Sequence, residues 1–198
     1  MQTRSRKKIM FSKACFNNDY DTIEKLIDFV DISIPYGKKF NNSILLTNII
    51  KEGNTRLMKL LACKGCDLEI NTAYYTPLMY ACSLGENKIA KILIENGANT
   101  ESRNEFLDTP LILATEKGNL ELVKILLENG ADIEARNLFG MKSYYFYNDD
   151  KNNRAAIYIN KVKNWRKNRN IMLVYKKSNC KLKELPLDLI RYSITFLD

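Results

Sequence analysis

A chain of 198 residues with 45% apolar content can bury a core, and with eight glycines, four prolines and no Gly/Ser/Pro-rich stretch it reads as one continuous body. Histidine is absent, which excludes Ser-His and Cys-His nucleophile pairs, His-ligated metal and the imidazole base. The formal charge of +8 is confined to one end: residues 1–150 carry 19 Lys/Arg against 20 Asp/Glu, and residues 151–198 carry 12 against 3.

No apolar run approaches the length of a membrane span or a secretory core, so a soluble, cytoplasmic chain is expected, with the nucleus also open. Residues 1–8 contain Arg4-Ser5-Arg6-Lys7-Lys8, read as a solvated basic end rather than a targeting tag. From residue 9 an apolar, helix-spaced pattern begins. Ala14, Asn18, Thr22/Ile23 and Leu26/Ile27 are followed by Ile49, Gly53, Leu57/Met58, Leu61 and Gly65 at the same relative positions, with Ile44-Leu45-Leu46 before them.

The pattern becomes strict in the next two copies, which superimpose at an offset of 33 residues. Thr76-Pro77-Leu78-Met79-Tyr80-Ala81 aligns with Thr109-Pro110-Leu111-Ile112-Leu113-Ala114, and Glu95-Asn96-Gly97-Ala98-Asn99 aligns with Glu128-Asn129-Gly130-Ala131-Asp132. Thr before Pro predicts an N-cap with proline at the first helical position, where its missing N–H costs nothing. Gly97 and Gly130 follow apolar runs and sit where a helix end needs positive φ. Ile89/Ala90 and Leu93/Ile94, matched by Leu122/Val123 and Leu126/Leu127, make one apolar stripe that must face a neighbour. Gly140 opens a fifth, incomplete unit.

These residues resemble the ankyrin-repeat family, whose unit is a turn plus two antiparallel helices bearing Thr-Pro-Leu-His and a later Gly-Ala-Asp. The resemblance implies an all-α ankyrin-repeat solenoid with a C-terminal helical cap. About four repeats and a degenerate capping unit occupy residues 9–160, and residues 161–198 form a separate basic and apolar end. It further implies a protein-binding module rather than an enzyme, with no cofactor. Met79 and Ile112 stand where the family has His, which predicts somewhat less stable repeats.

In that family the turn tips and exposed first-helix positions recognise the partner. The tips here are Thr72, Ala73 and Tyr75, then Glu105, Phe106 and Asp108, then Leu138, Phe139 and Met141. The helix positions are Phe16/Asn17, Lys51/Glu52, Ser83/Leu84 and Glu116/Lys117. Tyr75, Phe106, Phe139 and Met141 are the expected anchors, because large apolar groups on a turn are costly in water. The alternative is that some of these rings fold back on neighbouring turns.

Cys63-Lys64-Gly65-Cys66 has redox or zinc spacing, but it aligns with Glu95-Asn96-Gly97-Ala98. That makes Cys66 a replacement for a buried Ala and Cys63 one for an exposed Glu, and a zinc site would need two more ligands. Asp149/Asp150 read as a solvated edge rather than an acid-base pair.

Over residues 154–177, Tyr158, Val162, Trp165 and Met172 are spaced among Lys161, Lys163, Arg166, Lys167, Arg169, Lys176 and Lys177, which predicts a basic amphipathic helix. Either it covers the last repeat through Trp165, the favoured reading, or it binds RNA, acidic lipid or an acidic protein. Nucleic acid and membrane are not the expected partners. Finally, Leu185-Pro186-Leu187-Asp188-Leu189-Ile190 and Ile194-Thr195-Phe196-Leu197 resemble the opening helix of an F-box. The ordering of repeats and truncated F-box is similar to that of ankyrin proteins of poxviruses and other large viruses. This resemblance implies an adaptor, in the host cytoplasm if viral, that docks a Skp-type/cullin ubiquitin ligase through Leu185, Pro186, Leu189, Ile190, Ile194, Phe196 and Leu197. The same segment is equally readable as a helix packed on the repeats.

Overall fold

The computed structural model describes residues 2–30, 42–70, 74–145 and 153–177. Among them are nine α-helices and no strand: α1 (Gln2–Phe16), α2 (Tyr20–Leu26, continued by a 3-10 turn Ile27–Phe29), α3 (Asn42–Lys51), α4 (Thr55–Cys63), α5 (Pro77–Leu84), α6 (Asn87–Glu95), α7 (Pro110–Glu116), α8 (Leu120–Glu128) and α9 (Arg154–Lys177). A second 3-10 turn, Ser143–Tyr145, stands where a fifth pair would start. The helices pair in chain order and stack in two rows. In one row α3 packs on α5 and α5 on α7; in the other α2, α4, α6 and α8 follow one another, with α9 closing on α8, α7 and the second 3-10 turn. This is the all-α solenoid of stacked helix pairs that the family resemblance implied.

Several helix starts have a local cause. Thr76 Oγ1 accepts the Met79 N–H at 3.4 Å and Thr109 Oγ1 accepts that of Ile112 at 3.3 Å, with Pro77 and Pro110 at the first helical positions. Met79 and Ile112 are buried apolar residues, so at the family's His positions this chain substitutes packing for polarity. Asp19 caps α2 by accepting the Thr22 N–H at 3.1 Å, and Asn54, Asn119 and Asn153, at the starts of α4, α8 and α9, accept the N–H groups of Leu57, Leu122 and Ala156 at 3.1, 3.1 and 3.0 Å. Glu86, at the start of α6, makes no such bond. At the other end of the pairs, Gly97 and Gly130 take φ of 89° and 88°, the left-handed conformation their position requires.

The stripe expected from spacing is the core. Leu57/Met58/Leu61, Ile89/Ala90/Leu93 and Leu122/Val123/Leu126 are all buried and join one continuous cluster from Phe11 to Ile159. At about 25 cal/mol per Å² of apolar surface removed from water, this face-to-face burial is the main cohesive term between repeats. Polar side chains add register. Asn119 Nδ2 donates to Asn87 Oδ1 at 2.7 Å, and buried Asn153 donates to the Thr115 carbonyl at 2.8 Å, joining α9 to α7. Lys163 Nζ lies 3.7 Å above the Tyr144 ring and ties the basic helix to the second 3-10 turn. α9 is one helix from Arg154 to Lys177, so it runs across the boundary expected between residues 160 and 161.

Candidate functional site: the turn tips

Two successive turns, 104–108 and 137–141, are built alike. The Asn104 N–H donates to the Asp108 carbonyl at 3.3 Å and the Asn137 N–H to the Met141 carbonyl at 3.0 Å, closing each loop. Inside each loop the Asn Oδ1 accepts two backbone N–H groups: Phe106 and Asp108 at 3.0 and 2.8 Å for Asn104, Phe139 and Met141 at 3.0 and 2.9 Å for Asn137. Asn suits this task because its short side chain reaches its own loop backbone. Both Asn side chains are buried, so the tips are held internally rather than by water.

Adjacent tips are then bonded to each other. Leu138 N–H donates to the Phe106 carbonyl at 2.7 Å, Asn137 Nδ2 to Asp108 Oδ1 at 3.0 Å, and Arg103 to the Arg136 carbonyl at 3.0 Å. On this base the rings of Phe106 and Phe139 stack, with centroids 6.5 Å apart and planes 18° from parallel. They remain 49% and 70% exposed, and Leu138 is 62% exposed, so the stack does not hide them. Leu107 is exposed beside them. The result is a preorganised apolar ledge of Phe106, Leu107, Leu138 and Phe139 on a hydrogen-bonded backbone.

The other expected tip residues fall elsewhere. Tyr75 is half-buried, stacked on Tyr80 of α5 at 6.5 Å and packed against the core, and its exposed neighbour is Tyr74. Met141 is half-buried, because its backbone closes the second loop. Asp108 is a tie: Asn104 Nδ2 donates to its Oδ2 at 3.2 Å while Asn137 holds its Oδ1. Glu116 and Lys117, at the end of α7, are exposed and join no ion pair among the described residues, as are Lys51 and Glu52 at the end of α3. Leu84 is exposed, and Ser83 Oγ donates to the Tyr80 carbonyl at 2.9 Å. Thr72, Ala73, Asp149, Asp150 and the F-box-like residues Leu185, Pro186, Leu189, Ile190, Ile194, Phe196 and Leu197 lie outside the described residues. Tyr74 and Leu107 are the ledge and tip residues that sequence reasoning missed. The signal for Leu107 was its register: it aligns with Gly140, the turn glycine of the next unit.

The cysteines divide by burial. Cys63 is exposed, whereas Cys15, Cys66 and Cys82 are buried and free. Desolvation pushes the thiols of Cys15, Cys66 and Cys82 up to about 12, about 11 and about 12, so each is held as the protonated thiol, a poor nucleophile and metal ligand. Cys66 fills the position that Ala98 and Ala131 fill in the next repeats, all three buried. Among the described residues no group of three or more Cys, Asp and Glu could hold a metal ion, and no helix is long and apolar enough to cross a membrane.

A family model described as ankyrin repeats (3 copies) matches residues 11–104 and 46–137. No curated protein matches the chain significantly.

Proposed function

We propose that this chain, which belongs to the ankyrin-repeat family, holds a partner protein against the apolar ledge of Phe106, Leu107, Leu138 and Phe139. Ankyrin repeats are protein–protein interaction modules, and the chain is such a module. The observation that supports this location is the Phe106–Phe139 stack, exposed although the turns beneath it are closed by their own hydrogen bonds. Rigid aromatic anchors lose little conformational freedom on binding, which concentrates affinity in few residues. The test is Phe106→Ala together with Phe139→Ala. Captured partner falls at least about tenfold, the loss of one ring anchor or more, while thermal stability stays within a few degrees. Lost stability with retained binding overturns the reading.

The finer reading, a substrate adaptor for a cullin-type ligase, is supported by the Leu-Pro-x-Asp-Leu-Ile run at residues 185–190 and the apolar residues Ile194, Phe196 and Leu197. Affinity capture with the full chain and with a chain ending at Lys183 tests it. The adaptor reading requires that cullin-complex subunits disappear with the truncation while the ledge partner stays. Equal recovery of those subunits from both chains removes it.

A further inference from the structure

A groove of about 270 Å³ opens between α8 and α9, away from the turn tips. Its floor is Leu127, Tyr158, Val162 and Trp165, and its rim carries Lys124 and Arg166 with Glu128 as the single acid. Lys124 Nζ stands 5.4 Å from the centre of the Tyr158 ring, so a cation already borders the apolar floor. α9 carries eight Lys/Arg and no Asp or Glu, and Lys161, Arg166 and Lys167 are exposed along it. We infer that this groove is a second docking site, for an acidic, leucine-bearing segment of a partner protein, whose alkyl side chains enter between α8 and α9 while its carboxylates meet Lys124 and Arg166.

Charge selects an acidic occupant, and the floor selects among acidic occupants. Leu127 and Val162 offer alkyl contact for an aliphatic side chain, and Glu128 repels a continuous polyphosphate strand whose bases could otherwise stack on Tyr158 and Trp165. A bilayer would need apolar groups that project, whereas Leu127, Tyr158, Val162 and Trp165 are half-buried and the charged groups around them are exposed. The site is separate from the Phe106–Phe139 ledge, so the two readings fail independently.

Trp165 is the chain's one tryptophan and lines the groove, so its fluorescence reports occupancy directly. The full chain is titrated with a tryptophan-free synthetic peptide of leucine and glutamate. The expected result is a saturable change in Trp165 emission that weakens as salt is raised. Lys124→Glu with Arg166→Glu, both at exposed positions, weakens it by about tenfold, since two rim contacts become repulsions. Phe106→Ala with Phe139→Ala leaves it unchanged. The inference is overturned if no saturable change occurs, or if a leucine–lysine peptide binds equally. Tighter saturation by a single-stranded oligonucleotide or by anionic lipid vesicles also overturns it. So does a response seen only after removal of residues 184–198, which would make the groove the seat of the chain's own end.

Discussion

Asn137 Nδ2 donates to Asp108 Oδ1 at 3.0 Å, fastening the tip of one repeat to the tip of the next. Asp108 is one of the tip positions at which a partner is expected, and both its oxygens are engaged within the chain, the second by Asn104. Asp108→Ala removes both acceptors and leaves the two amides to water. The expected cost is about 1–2 kcal/mol of stability for two partly exposed bonds to a carboxylate. Amide exchange at Leu138 should accelerate as the tips separate, measured by hydrogen exchange. Unchanged protection there would mean that the Leu138–Phe106 backbone bond alone holds the tips.

Leu107 and Gly140 occupy equivalent turn positions with opposite suitability. Leu107 takes φ of 58° and Gly140 φ of 72°, each donating its N–H to the Asn three residues earlier at 2.9 Å. The left-handed region costs a residue with a Cβ roughly 1–2 kcal/mol, offset in part by the unfolded-state entropy that glycine adds. Leu107→Gly is therefore expected to raise stability slightly, by up to about 1 kcal/mol. Gly140→Leu should lower it by about 1 kcal/mol through backbone strain alone, because nothing lies within 4 Å of an added Cβ. Urea midpoints of the two variants decide. Two shifts of the same sign would refute the equivalence of the turns.

The framework was legible because its causes are local. Thr76-Pro77 caps its own helix, Gly97 ends its own, and the Leu/Ile stripes follow helical spacing. The tips were legible only in part. Asp108 meets Asn137 across 29 residues of sequence, a contact set by how one repeat settles on the next, and Tyr75 turns back on Tyr80 of the helix that follows it. Neither relation has a signature in helical spacing. The groove of α8 and α9 was half visible: its basic residues and Trp165 stood out in sequence, but the Leu127 and Lys124 that complete it come from the preceding repeat.

One helix start lacks the cap its neighbours have. Glu86 makes no side-chain bond at the head of α6, where Asn54 and Asn119 bond at the heads of α4 and α8. Glu86→Asn places an acceptor where the Ile89 N–H can reach it, as Asn54 does for Leu57 and Asn119 for Leu122, and is expected to add about 0.5–1 kcal/mol, read as a higher thermal midpoint. A midpoint that stays or falls would show that the Glu86 side chain stabilises the repeat through its position beside Gly53.

Native-state alkylation should separate the cysteines by exposure rather than by pairing. Cys63 is expected to react readily, and Cys15, Cys66 and Cys82 only after unfolding, with no change on adding a chelator. Protection of Cys63 that a chelator lifts would restore the metal reading of Cys63 and Cys66.

The same burial makes the fold sensitive to alkali. The thiols of Cys66 and Cys82 have an ordinary value of 9.0, which burial pushes up to about 11 and about 12. Above that ordinary value the unfolded chain releases thiol protons that the folded chain retains, so the unfolded state binds fewer protons and stability falls with rising pH. The contribution is therefore complete at neutral pH, declines from about pH 9, and levels off once the folded thiols ionise near 11 to 12. Cys66→Ala tests this at a site where Ala98 and Ala131 show that alanine fits. Its urea midpoint should lie close to that of the parent chain near neutral pH and above it by about pH 10. A parallel decline in both chains would assign the alkaline loss to the other buried groups, the Cys82 and Cys15 thiols first and then Tyr20, whose hydroxyl burial also pushes upward.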